Sequence, residues 1–271
     1  MTCVSIKAQV KKDTINTLNE VIITGYKTVN GVGHLQDTKD GIIYAGKKNE
    51  IILVDTRQIL GRVPGLNIVE TESSGFTANG ITTRGLNPTQ SIEMNTRQNG
   101  YNVSADTYGY NEAYYLPPME AVSRIEMVRG AASLQFGSQF GGLVNYVTKD
   151  APTNKPFEFT TSQTIGSYGL YNSFNSMGGT YKKLSYYAFA QYRYIDGYRP
   201  NSQQSQFSGF GKIQYNYSNK LNFGVEYATM RNKLKMPGGL TDDQFNSNPQ
   251  ASTRSRNWLK SPWNILTGFA N

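Results

Sequence analysis

Side chains able to do covalent or metal chemistry are sparse in this chain. Its 271 residues include one cysteine, Cys3, and one histidine, His34, and neither has a second thiol or imidazole to complete a metal site or a nucleophile–base pair. No carboxylate pair is patterned for general acid–base work. The run Gly41-Ile42-Ile43-Tyr44-Ala45-Gly46-Lys47-Lys48 nearly spells a phosphate-binding P-loop. It fails at Lys48, where a hydroxyl must reach Mg²⁺; its interior is apolar and no helical pattern follows. Glu50 to Val54 reads instead as a buried strand. A protein that is not an enzyme, and that holds no metal and no cofactor, is therefore expected. The longest irregular stretch, Asn87 to Pro118, is crowded with Asn, Gln, Tyr and Gly, and long ordered loops in compact domains are usually functional.

Composition narrows the class. A hydrophobic content of 38% with a mean hydropathy of −0.51 excludes a bundle of membrane helices, and no stretch approaches the roughly 18 apolar residues that a spanning helix needs. Nineteen Tyr and 27 Gly fit β-structure whose aromatic side chains lie at an interface. The net charge of +8 comes from Lys and Arg scattered along the chain with no nucleic-acid motif around them, so no nucleic-acid partner is expected. Met1 to Lys12 lacks the apolar core of a secretory signal, and Ser5-Ile6-Lys7-Ala8-Gln9 reads as the remnant of a cleavage region.

The elements that would position a binding surface are organised around Met119 to Lys149. Val122, Ile125, Met127 and Val128 form a strand-like run ending at Arg129-Gly130; about one helical turn follows, and Gly141-Gly142 release the chain into a second strand, Leu143 to Thr148. Upstream, Leu18 to Tyr26 is a β-branched run with extended propensity, which is either a free segment or the first strand of a domain. Asp55-Thr56 can cap a short helix, Arg57 to Leu60, and Pro64-Gly65 breaks it before a strand at Leu66 to Val69. A Ser/Gly/Asn loop then leads into Ile81 to Leu86. Beyond the linker Asp150 to Pro156 the period changes to two: Phe207 to Tyr217 and Leu221 to Thr229 alternate apolar with polar, and Leu184 to Tyr194 does so less cleanly. Short turns at Lys182-Lys183 and Ser218 to Lys220 alternate with long polar loops at Ile195 to Ser205 and Arg231 to Arg256, as in a barrel with one end in the periplasm and the other outside. The first outer turn, Gly166 to Gly169, is the exception.

The run Arg124-Ile125-Glu126-Met127-Val128-Arg129-Gly130, with Ser133, Phe136-Gly137, Gly141-Gly142 and Val144-Asn145-Tyr146, closely resembles the end of the plug domain of TonB-dependent outer-membrane receptors. Gly61 to Leu66 and Ile81-Thr82-Thr83-Arg84-Gly85 resemble two further plug elements. The resemblance implies an α+β plug domain followed by antiparallel transmembrane β-barrel strands, the barrel incomplete in this chain. It implies a TonB-box extension at 1–26, a plug at 27–150 and five or six barrel strands in 157–271. Glu20, Val21, Ile22, Ile23, Thr24 and Gly25 would be the TonB box, grasped in the periplasm by the energy-transducing protein TonB through an added strand. Arg84 and Arg129 match the arginines that lock the family's plug to glutamates on the inner barrel wall, but no wall carrying such glutamates is identifiable in the sequence.

By the same resemblance Asn87 to Pro118 would supply apical loops, with Asn95, Arg97, Gln98, Tyr101, Tyr110 and Tyr114 as ligand contacts, Arg97 and the tyrosines binding an anionic ferric chelate by charge-assisted hydrogen bonds and stacking. The alternative is a solvated loop with its tyrosines packed beneath. The implied protein sits in the cell's outer membrane, in contact with its lipid, and imports a ferric siderophore or ferric dicitrate into the periplasm without covalent chemistry. Rival readings are a soluble or surface β-rich adhesin or carbohydrate-binding module, and a transporter of another substrate such as a glycan or cobalamin.

Overall fold

The computed structural model describes the strand segments 27–29, 33–35, 42–44, 66–70 and 79–83 and, with their side chains, residues 94–103, 115–128, 142–218 and 220–270. Two structural units follow one another. The first is built on a five-stranded mixed sheet of order β3-β8-β9-β6-β7, formed by Ile42–Tyr44 (β3), Met94–Gln98 (β6), Tyr101–Asn102 (β7), Val122–Val128 (β8) and Gly142–Thr148 (β9). Two ribbons accompany it: Lys27–Val29 (β1) with Gly33–Leu35 (β2), and Leu66–Glu70 (β4) with Asn79–Thr83 (β5). The second unit is a six-stranded antiparallel meander: Glu158–Gly166 (β10), Leu170–Tyr181 (β11), Leu184–Ile195 (β12), Gln204–Ser218 (β13), Leu221–Lys235 (β14) and Trp258–Ala270 (β15).

The strands expected on either side of the glycine-rich turn are β8 and β9. They pair antiparallel with Ile125 opposite Tyr146 and Glu126 opposite Asn145, and both strands are largely buried. Ile42 to Tyr44, inside the sequence that nearly spells a P-loop, is an edge strand on β8. The expected strand at 50–54 and helix at 57–60 lie outside the described residues.

One expectation needs correction. The stretch from Asn87 to Pro118 is not irregular throughout, because Met94–Gln98 lies inside the sheet, parallel to β9, and is buried along almost its whole length. Its polar sequence hid it, since a strand covered on both faces loses the alternation that betrays a half-buried one. A local signal was nevertheless present. Asn99-Gly100, at φ 49° and 88°, makes the two-residue turn with both residues left-handed that joins β6 to β7, and Asn-Gly is the favoured pair for that turn.

In the meander, side chains alternate between an outer and an inner face. Leu221, Phe223, Val225 and Tyr227 of β14 face outward beside Ile213, Tyr215 and Tyr217 of β13, all exposed. Rings stack between the strands, Tyr215 on Phe223 with centroids 6.0 Å apart. β12 alternates poorly in sequence because its inner positions, Tyr187 and Phe189, are themselves apolar and buried. The linker crosses β11 where Thr180 N donates to the Lys155 carbonyl, and only glycine fits at 179, where a Cβ would overlap the Pro156 carbonyl.

In this sheet β10 and β15 each have a single neighbour, and a closed barrel needs about eight strands at least. Expressed by itself, the 271-residue chain should give no SDS-resistant species whose gel mobility shifts on heating. A heat-modifiable monomer would contradict this.

Candidate functional site

The surface between the two units is where function is built. Four inner-face aromatics, Phe174, Tyr187, Phe189 and Phe210, form a contiguous buried cluster with Ala228 and Met230, and Val103, Tyr115 and Ala121 of the first unit close it. Phe189 stacks on Phe210 with centroids 5.6 Å apart and meets Phe174 at the same separation. The inner face is thus apolar at mid-height, where it receives the first unit.

Polar contacts grip the first unit at two heights. The lower one starts at the Asn99-Gly100 turn, which lies against β14. Asn99 Nδ2 donates to Glu226 Oε2 at 2.9 Å, while Lys212 Nζ stands 3.3 Å from Glu226 Oε1 and 3.0 Å from Asp150 Oδ1. Glu226 is 3% exposed, so this carboxylate has exchanged water for one amide and one ammonium. Asn99 is fixed in turn, its Oδ1 accepting from Thr148 N at 2.9 Å. The bonds continue inward. Gly100 N donates to Asn145 Oδ1, Asn145 Nδ2 donates to Glu126 Oε2, and Arg124 Nε donates to Glu126 Oε1 at 2.7 Å. A buried row of polar side chains therefore ties the middle of the plug-like sheet to the wall.

The upper grip is made by Glu120, on the 3₁₀ turn Met119–Ala121 that leads into β8. Its Oε1 accepts from Asn172 Nδ2 at 2.8 Å, and Gln191 Nε2 donates to Asn172 Oδ1 at 2.9 Å while lying 3.4 Å from both Glu120 oxygens. Asn172 is near the start of β11 and Gln191 near the end of β12, close to the outer ends of those strands. Burial lowers the pKa of Lys149, and the Glu120 charge works in the opposite direction. Behind the turn, burial pushes the Tyr101 phenol up, with Tyr115 and Glu226 adding to the rise and donation from Gln98 opposing it. Burial raises Tyr115 as well. Both phenols stay neutral, as packing and hydrogen-bonding groups rather than acids.

The residues expected at the ligand separate into three groups. Asn95 and Gln98 are 2% and 0% exposed within β6, which corrects their placement on an apical loop: both are enclosed in the sheet, Asn95 donating to Asn102 and Gln98 to the Tyr101 hydroxyl. Arg97 and Tyr101 are half-buried, and Arg97 Nη1 donates to the Gly100 carbonyl at 2.7 Å. The turn they flank meets β14 at Glu226, five residues from the short-turn end of that strand and so away from the long loops. Tyr110 and Tyr114, the TonB-box residues Glu20 to Gly25, and Arg84 and Arg129 lie outside the described residues. The wall carries a glutamate facing the first unit, Glu226, whose partners among the described residues are Asn99 and Lys212; the sequence shows it only as one polar position in an alternating strand.

Residues 51–143 match the family model of the TonB-dependent receptor plug domain. The ferric enterobactin receptor PirA of Pseudomonas aeruginosa is 34% identical over 113 residues, a stretch covering 37% of this chain and 15% of that receptor. The vitamin B12 transporter BtuB of Photobacterium profundum is 29% identical over 137 residues, covering 49% of this chain and 21% of that transporter. The matched stretches thus span far less than two thirds of either relative. Among solved structures, the ferric citrate transporter FecA in its unliganded form superposes with a TM-score of 0.68 at 22% identity, covering 83% of this chain and 36% of that one.

Removing the wall carboxylate should loosen the lower grip. Glu226→Ala in the complete protein leaves the Asn99 amide with Thr148 Oγ1 as its remaining acceptor and Lys212 with only the exposed Asp150, a loss of about 3 kcal/mol on the scale of broken buried ion pairs. Limited proteolysis should then cut within residues 94–148 at protease concentrations that spare the parent. Unchanged resistance would show that Glu226 does not hold the sheet.

Proposed function

Because this chain carries the plug domain and first barrel strands of a TonB-dependent receptor of the outer membrane, we propose that the complete protein binds a ferric chelate at its outer face and admits it to the periplasm when TonB draws on the plug. The observation that carries this reading is the seating of the plug sheet against the inner face of strands whose outer face is apolar and aromatic. Anything that passes inside such a wall must wait for the plug to move. The contacts resisting movement include the hydrogen bonds at Glu226 and Glu120, which a pull on the plug must break. No step in this cycle makes or breaks a covalent bond, so the protein acts as a receptor and transporter, not as an enzyme.

Coupling enters through Glu20 to Gly25, which adds as a strand to TonB. A pull from there reaches the edge strand β3 before the central strands, and among the described residues β3 is held to β8 by three residue pairs, Ile42 with Glu126, Ile43 with Ile125 and Tyr44 with Arg124. Since β8 also carries the Glu126 end of the polar row leading to Asn99 and Glu226, stripping β3 disturbs the lower grip first. By the family resemblance, Arg84 and Arg129, which lie outside the described residues, would lock the plug to glutamates of the barrel wall. Ligand contact falls to the segment containing Tyr110 and Tyr114, whereas Asn95, Arg97, Gln98 and Tyr101 hold the plug together. A ferric siderophore or ferric dicitrate is favoured as cargo by the kinship with a ferric enterobactin receptor, and cobalamin is the second reading because a vitamin B12 transporter is also among the relatives.

Binding and uptake by cells producing the complete receptor separate these readings. Radioiron-labelled enterobactin or citrate should bind and enter, and Ile22→Pro should abolish entry while binding stays at the parental level, because proline removes a main-chain donor from the added strand. Binding of cyanocobalamin alone would replace the chelate by cobalamin. A weakly binding Ile22→Pro receptor would make the segment a plug strand.

A further inference from the structure

The outward positions of the six barrel strands are unevenly charged. They carry Arg231, Lys233 and Lys235 on β14 and Lys260 on β15, and no carboxylate. All of these cations are at one end of two neighbouring strands, the end joined by the long loop 236–257. Below them on β14 the outward residues are Leu221, Phe223, Val225, Tyr227 and Thr229. The ten steps from Leu221 to Arg231 span roughly 33 Å along the strand, or about 25 Å along the membrane normal once the strand is tilted, which is the height of the apolar band of a membrane barrel. Arg231 therefore marks where hydrocarbon ends, and Lys233 and Lys260 stand at the level of the outer leaflet's headgroups.

Their mutual geometry is unfavourable without an anion. Lys233 and Lys260 are directly opposed in the β14–β15 register, and like charges so placed destabilise a sheet. Among the described residues no carboxylate lies within ion-pair distance of Arg231, Lys233 or Lys260. The Lys260 ammonium lies 5.1 Å from the centroid of the Trp258 ring, which keeps it against the wall. With Tyr192 and Phe207 the three cations line a shallow cleft of about 260 Å³, open to the outside of the sheet.

We propose that Arg231, Lys233 and Lys260 form a binding site for the phosphorylated headgroup of an outer-leaflet lipid, the acyl chains running down the apolar face beside Tyr227 and Leu266. The guanidinium supplies a fork that matches phosphate oxygens, and the two ammoniums supply the charge that the phosphate neutralises. The lipid occupies the site in preference to a free anion because the cleft opens onto the lipid-facing surface and continues into it. This inference rests on the outer-membrane placement of the strands and not on the identity of the transported chelate.

The complete receptor would be placed in phosphatidylcholine nanodiscs doped with bisphosphorylated lipid A, or with lipid A stripped of its phosphates, and the lipid retained would be quantified by native mass spectrometry. The parent should retain the phosphorylated lipid selectively. Lys233→Gln with Lys260→Gln should weaken retention roughly 30-fold, and the paired Lys→Arg changes should restore it. Equal retention by parent and Gln variant, equal retention of the dephosphorylated lipid, or full displacement by inorganic phosphate would overturn the proposal. If the double variant fails to fold, Lys233→Gln alone, in lipid-free detergent, should raise the melting temperature by relieving the opposed charges, and a fall would also overturn it. Chelate binding and chelate uptake serve as separate readouts of the proposed function, and this site should leave both unchanged.

Discussion

The arrangement depends on a carboxylate out of reach of water. Glu226 sits on the inner face of a membrane wall with Asn99 on one oxygen and Lys212 near the other, and neither partner can leave without costing a buried charge a bond that water does not replace. Such a pair adds little net stability relative to a hydrophobic contact of the same size, but it is costly to half-break. It therefore fixes position more than it adds strength. The Asn99-Gly100 turn must come to β14 at this height, and the sheet behind it is oriented through Asn145, Glu126 and Arg124.

That division of labour suits a part that must hold and later move. The aromatic cluster of Phe174, Tyr187, Phe189 and Phe210 contributes burial, which does not depend on direction, while the polar grips at Glu226 and Glu120 give register at two heights of the wall. Because the apolar cluster occupies inner positions of the barrel strands, both faces of β12 read as hydrophobic: Tyr186 and Ala188 face lipid, and Tyr187 and Phe189 face the plug.

Much of this was legible in the sequence because it is local. The residues from Arg124 to Tyr146 announce a strand, a glycine-rich turn and a strand, and β8 and β9 occur there as neighbours. Strands facing water or lumen on one side and lipid on the other, such as β13 and β14, also declare themselves by period two. What stayed hidden depends on the partner across the interface. Met94-Asn95-Thr96-Arg97-Gln98 looks like a solvated loop until β9 is laid beside it, and Glu226 looks like one more polar residue until Asn99 arrives from 127 positions away. The Asn99-Gly100 pair was the one local clue, marking a hairpin in a stretch whose composition suggested none.

The central claim is that the Asn99 turn rests on the wall at Glu226, and proximity tests it directly. In the complete receptor, with Cys3 replaced by serine, the pair Asn99→Cys and Glu226→Cys should be bridged in native outer membranes by a short thiol-specific bifunctional reagent that spans the two shortened side chains, detected as a plug fragment that remains attached to the barrel after a single proteolytic cut between them. Release of the fragment after treatment with the reagent as completely as without it would contradict the account.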